Sequence, residues 1–217
     1  MGERSLHAAL KQWCMQAGDR LEVAVDGYVI DIVRGDLLIE IQTRSFSPMK
    51  RKLADLLQRH RVRLVYPVAR EKWIVRLRAD GLSQMDRRKS SEHLGLVHVF
   101  VELVHIADLM ANPNMELEVV VIQEEEVRRH VPRGGRRRRS VPFDRRLLTV
   151  EGQRIYRSAA DLKAFIPDHL AQPFTNADLA DAMGEPVWLA EKVTYCLRKM
   201  NALQVVGKRG WALLHTT

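Results

Sequence analysis

Cysteine is scarce: Cys14 and Cys196 are the two in 217 residues. They lie far apart, and neither has a second Cys or a His at metal-ligand spacing, so both are read as reduced core thiols rather than disulfide or zinc ligands. No apolar run approaches the roughly 18 residues needed to span a bilayer, so no membrane partner is expected. The opening Met-Gly-Glu-Arg-Ser leads directly into an amphipathic segment, without the uninterrupted apolar stretch of a secretory signal. A cytoplasmic location is the expectation. Acid is missing in one place only. The net charge is +8, and residues 128 to 146 hold nine Arg against one acid, Asp144, so this stretch carries the whole excess.

The hydrophobic share of 46% and charged share of 29% suit a globular protein. Concentrated positive charge fits a segment that neutralises phosphates along a polyanion, with Arg136, Arg137, Arg138 and Arg139 at its centre. The alternative is a solvated linker. Residues 131 to 144 combine two Pro, two Gly and the four-Arg run without a periodic apolar face, which marks a boundary. The expected division is a first domain over 1–127, an Arg-rich linker over 128–150 and a second domain over 151–217.

Within the first domain, Leu6, Ala9, Leu10, Trp13 and Cys14 follow the spacing of an amphipathic helix. Three short β-rich runs follow at 21–25, 28–33 and 37–43, separated by Asp26-Gly27 and Arg34-Gly35-Asp36, both hairpin signals. Pro48 opens a second helix to about residue 60, and a strand at 62–68 can then join the third strand in parallel. Further expectations are a strand at 72–78, a helix from 92 to 110 and a strand at 117–123. The fold class is α/β, with an αβββαβ core.

Alternation along the third strand places Leu38, Glu40 and Gln42 on one face and Leu37, Ile39 and Ile41 on the other. Asp31, between Ile30 and Ile32, is an acid where a buried strand favours an aliphatic side chain. A hairpin through Gly35 brings Asp31 beside Glu40, and two converging carboxylates suit Mg²⁺ or Mn²⁺. Two acids pointing to water from an exposed face is the plainer reading of the same residues.

The stretch Val29-Ile30-Asp31-Ile32-Val33, a turn, then Leu38-Ile39-Glu40-Ile41-Gln42-Thr43 resembles the core of the PD-(D/E)XK nuclease superfamily. The resemblance covers roughly residues 5 to 70, and implies a restriction-endonuclease-like fold and metal-dependent cleavage of DNA. It makes Asp31 and Glu40 metal ligands and Gln42, where the superfamily most often has lysine, the residue that orients water. Some restriction endonucleases carry Glu-x-Gln and remain active; loss of the ammonium also suits a non-cleaving DNA-binding relative. Lys50 or Lys52, on the following helix, can supply the missing cation, and Glu22 is a candidate third carboxylate. His7 and Lys11, one turn apart on the first helix, are candidate phosphate contacts.

Residues 159–215 read as three helices and a hairpin turning at Gly207-Lys208-Arg209-Gly210, an order similar to winged-helix (helix-turn-helix) domains. That likeness implies a recognition helix offering Lys192, Tyr195, Arg198 and Lys199 to DNA, and a wing offering Lys208 and Arg209. Two functions therefore compete: a metal-dependent endonuclease, and a nuclease-like DNA-binding regulator or adaptor without catalysis. A protein-interaction module is a third. Double-strand cleavage by one site per chain would favour a homodimer.

Overall fold

The computed structural model describes residues 5–78, 83–132 and 138–217. Helix α1 (Ser5–Cys14) buries Leu6 and Leu10, four residues apart and so on one face, while Trp13 is exposed on another. Strands β1 (Arg20–Val25) and β2 (Tyr28–Arg34) pair antiparallel across Asp26-Gly27, whose φ values of 47° and 82° are the left-handed pair that a tight two-residue hairpin requires. Strand β3 (Leu37–Ile41) returns antiparallel to β2. A single 3-10 turn at Ser47–Met49 then runs into α2 (Lys50–Leu56), which delivers the chain to β4 (Arg61–Leu77), parallel to β3.

Beyond this point several expectations are corrected. The separate strands expected at 62–68 and 72–78 are one continuous β4, whose outer half pairs with β5 (Gln84–Lys89). The helix expected from 92 to 110 is a 3-10 turn at Leu96–Val99, a one-turn α3 (Phe100–Leu103) and a second 3-10 turn at Ala107–Ala111. Its apolar positions still point inward: Val97, Val99, Phe100, Leu103, Ile106, Ala107 and Met110 are all buried. The stretch expected as a linker is largely strand. β6 (Met115–Pro132) runs parallel to β4, and β7 (Arg138–Tyr156) pairs antiparallel with β6 along its length. The result is one mixed sheet in the order β1-β2-β3-β4-β6-β7, with β5 beside the outer half of β4.

Helix α1 covers one face, where Leu6 and Leu10 meet Ile32, Leu37, Ile39, Ile41 and Val65. The opposite face carries α2, α3 and the C-terminal helices over Ile30, Leu38, Val62 and Leu64. Those helices are α4 (Ala159–Lys163), α5 (Asn176–Met183) and α6 (Val187–Lys199), followed by the hairpin β8 (Gln204–Arg209) and β9 (Ala212–Thr216). Phe174 bridges His215, adding a third short strand contact to the hairpin. Thr175 caps α5 by accepting from Asp178 N, and Asp178 Oδ2 accepts from Thr175 N in return, a reciprocal capping box. Leu189, Val193 and Leu197 of α6 belong to the same continuous core as Ile30 and Leu38. The C-terminal unit is thus packed on the sheet rather than tethered beyond a linker.

Candidate active site

The β1-β2 register runs Leu21↔Ile32 and Val23↔Ile30, which sets Glu22 opposite Asp31. The β2-β3 register begins at Ile32↔Ile39, so the next residues along, Asp31 and Glu40, also face each other. Glu22, Asp31 and Glu40 therefore form one row across three strands. At this row neither ladder records a pair. Glu22 has φ 51°, a left-handed conformation uncommon for a non-glycine residue. Alternation also slips here, since Ile30 packs into one core layer and Ile32, two residues on, into the other. With β2 and β3 no longer paired, the Ile41 N–H donates to Asp31 Oδ2 at 2.9 Å.

Cations from both helical layers reach the row. From α1, His7 Nε2 lies 3.3 Å from Asp31, and Lys11 Nζ lies 2.9 Å from Glu22 and 4.0 Å from Asp31. From α2, Lys52 Nζ donates to Glu40 Oε1 at 2.7 Å and to the Val29 carbonyl at 2.6 Å. Of the two lysines that could supply a cation, Lys52 is the one turned inward; Lys50 pairs with Asp108 at 3.0 Å. His7 and Lys11, expected at phosphates, here contact acids. Gln42 holds the end of β3 through its N–H to the Val65 carbonyl, and its side-chain oxygen accepts from Arg44 N at 3.4 Å.

The two carboxylates are held differently. Burial pushes the Asp31 carboxyl up, but hydrogen bonds from His7 and the Ile41 N–H, with the charges of His7 and Lys11, outweigh it and hold the group below its ordinary value. Burial dominates at Glu40 and raises its carboxyl despite Lys52. Asp31 is the firmly ionised member. Among the described residues no three His, Cys, Asp or Glu side chains are grouped to hold a metal ion. Two carboxylates are nonetheless what Mg²⁺ commonly takes, since it keeps several of its waters.

Arg145, counted in the sequence among the cations of the linker, is a structural partner. It donates to Glu124 Oε2 at 2.9 and 2.6 Å and to the Thr43 carbonyl at 2.6 Å, tying β7 to the end of β3 just beyond Gln42. Glu124 is wholly buried. Arg136 and Arg137 lie outside the described residues, and for Arg138 and Arg139 the strand backbone alone is described. A basic group that the sequence reading missed lies on the neighbouring strands: Arg78, Arg87, Arg88 and Lys89 around β5, with Arg129 and Arg146 opposite, are exposed. The Arg-Arg-Lys run at 87–89 was its signal. In the C-terminal unit Tyr195, Arg198, Lys199, Lys208 and Arg209 are exposed and Lys192 half-buried, although Arg209 pairs with Asp178 at 3.2 Å.

A family described as a domain of unknown function (DUF8091) matches residues 4–157, the span that ends with β7, and the chain belongs to this family. An uncharacterized protein of Treponema pallidum (strain Nichols) is 33% identical over 181 residues, covering 82% of this chain and 71% of the relative. No solved structure matches the chain. Among the described residues no helix is long and apolar enough to cross a membrane.

Proposed function

We propose that this protein is a divalent-metal-dependent DNA endonuclease with a restriction-endonuclease-like core and a C-terminal winged helix. The observation that carries the reading is the interrupted row in which Asp31 and Glu40 face each other at the point where β2 and β3 part. Asp31 and Glu40 would hold Mg²⁺ or Mn²⁺. Bound there, the ion supplies Lewis acidity and a water acidified toward neutral pH. Lys52, which donates to Glu40 from the α2 side, would stabilise with its ammonium the negative charge that accumulates on a phosphodiester under attack. Gln42 lies two residues beyond Glu40, just past the end of β3, and orients the attacking water through its amide. Cations on β5 to β7 and on the C-terminal unit hold the DNA backbone, and scission of both strands calls for two chains.

A second reading, a DNA-binding regulator without catalysis, is favoured by one contact: Lys52 already neutralises Glu40 at 2.7 Å, where a metal would otherwise do so. Cleavage separates the two. Supercoiled, linear, single-stranded and branched DNA are incubated with the protein and Mg²⁺ or Mn²⁺, beside Asp31→Ala and Glu40→Gln variants checked for folding by circular dichroism. Metal-dependent scission lost in both variants is the expected result. An inert wild-type protein across all substrates would end the nuclease reading, and metal-independent DNA binding that survives Asp31→Ala would then support the regulator.

A further inference from the structure

The outward face of α6 is unusual for a surface read as gripping duplex phosphates, because two of its seven residues are large aromatics. Trp188 is 48% exposed and Tyr195 41% exposed. Around them on the same arc lie Lys192, Arg198 and Lys199, with Glu191 the one acid, and Lys199 Nζ sits 5.8 Å from the Tyr195 ring centroid. The other arc of the helix is spent on the core through Leu189, Val193, Cys196 and Leu197. A groove of about 520 Å³ opens beside this face, walled by Trp188, Glu191, Lys192 and Tyr195 on α6 and by Val104 and His105 just after α3. A third aromatic, Trp211, stands 99% exposed at the tip of the β8-β9 hairpin, directly after Lys208, Arg209 and Gly210. Tryptophan is highly buried on average, so complete exposure is uncommon for it and leaves both faces of the indole open.

We infer that the C-terminal unit binds unpaired nucleic acid, stacking a splayed-out base on Trp188 and Tyr195 in the groove between α6 and residues 104–105 and another on Trp211 at the hairpin tip, while Lys192, Lys199 and Lys208 meet the flanking phosphates. The assignment follows from what each partner exposes. In a duplex the π-faces of the bases are covered by the stack, leaving edges and phosphates, against which exposed indole and phenol rings gain little. Single-stranded segments expose those faces, and aromatic platforms interleaved with cations are the arrangement that holds them. Three cations against one acid on the α6 face also disfavour a basic protein partner. The inference rests on the reading of this protein as one that acts on DNA, and it narrows the substrate: DNA carrying an unpaired segment, such as an overhang, flap or junction, in preference to continuous duplex.

The test is equilibrium binding by the full chain in EDTA, where cleavage cannot contribute. Fluorescence anisotropy is read with labelled single strands, duplexes and duplexes bearing a single-stranded overhang. Single strands and overhangs should bind more tightly than duplex. Trp188→Ala, Tyr195→Ala and Trp211→Ala should each weaken single-strand binding by about 5- to 100-fold, the loss of one stacked base. Trp188→Phe and Tyr195→Phe should restore most of that loss, which a merely misfolded helix would not do. Duplex affinity should move less than twofold in the same variants. Equal or better binding of duplex, single-strand affinity unchanged by all three alanines, or aromatic-dependent binding to anionic vesicles instead of DNA would each overturn the inference. The two proposals fail separately: a chain that binds single strands yet never cuts refutes the nuclease, and a chain that cuts duplex while indifferent to Trp188, Tyr195 and Trp211 refutes this site.

Discussion

Replacing Lys52 with methionine removes the ammonium and keeps most of the side chain's apolar length. In the structure Glu40 is then left with the Asp31 backbone N–H as its remaining hydrogen bond, at a site where its side chain is 6% exposed. Breaking a buried ion pair by deleting one partner costs about 3–5 kcal/mol, and a value near 3 is expected here because Lys52 is partly hydrated and Glu40 can take up a proton instead. That escape gives the prediction its signature. Burial already raises Glu40 in the folded protein, so above its unfolded value of about 4.3 the folded state binds more protons than the unfolded one, and stability falls as pH rises through the folded value. Without Lys52 the folded value climbs further and this window widens upward. The destabilisation should therefore be small near pH 4.5 and grow to its full size by pH 8. Urea unfolding across that range, in wild-type and Glu40→Gln backgrounds, measures it; with glutamine the Lys52→Met cost should drop to about 1 kcal/mol, the lost bond to the Val29 carbonyl. A loss independent of pH, or equally large in the glutamine background, would refute the argument.

Arg145→Ala should cost about 3 kcal/mol in the same assay, because it leaves the wholly buried Glu124 without a hydrogen-bond donor and with Lys72, 3.9 Å away, as its remaining cation, whereas exposed Arg146→Ala should stay within about 0.5 kcal/mol. His215 is buried beside Phe174 with neither ring nitrogen hydrogen-bonded. Burial, aided by the charge of Arg198, holds its imidazolium form below the ordinary range. The unfolded chain then binds the extra proton, so stability present above about pH 6.5 is lost as pH falls, and His215→Leu should flatten that limb of the thermal unfolding profile. Thr175→Ala removes the α5 cap and should cost about 1 kcal/mol. Burial pushes Cys14 and Cys196 up to about 12, so a thiol reagent at pH 8 should label neither at an appreciable rate until the chain is unfolded.

What could be read from the sequence was whatever local chemistry decides. Asp26-Gly27 and Gly35 fixed two turns and with them the register of three strands. The failures share a cause: pairing between distant segments overrode weak local signals. Residues 138–156 lack a clean apolar alternation because cross-strand ion pairs, such as Arg145 with Glu124, occupy positions that a simpler strand gives to aliphatics. The 92–110 segment has helical spacing, but its β-branched Val97, Val99, Val101 and Val104 disfavour a continuous helix, and the chain buries the same side chains from three short turns. The candidate site lies between these cases. Alternation and hairpin spacing brought Asp31 and Glu40 together, yet they did so by assuming a regular sheet, and the sheet is interrupted at that row. A regular ladder would spend the Ile41 N–H on β2 backbone; here it goes to the Asp31 carboxylate, and Glu22 takes a left-handed backbone instead of pairing. Three acids opposed in one row repel one another, and the row persists because His7, Lys11 and Lys52 reach it from helices on both faces of the sheet. Such local departures from backbone regularity, held by the surrounding structure, are where function is most often found.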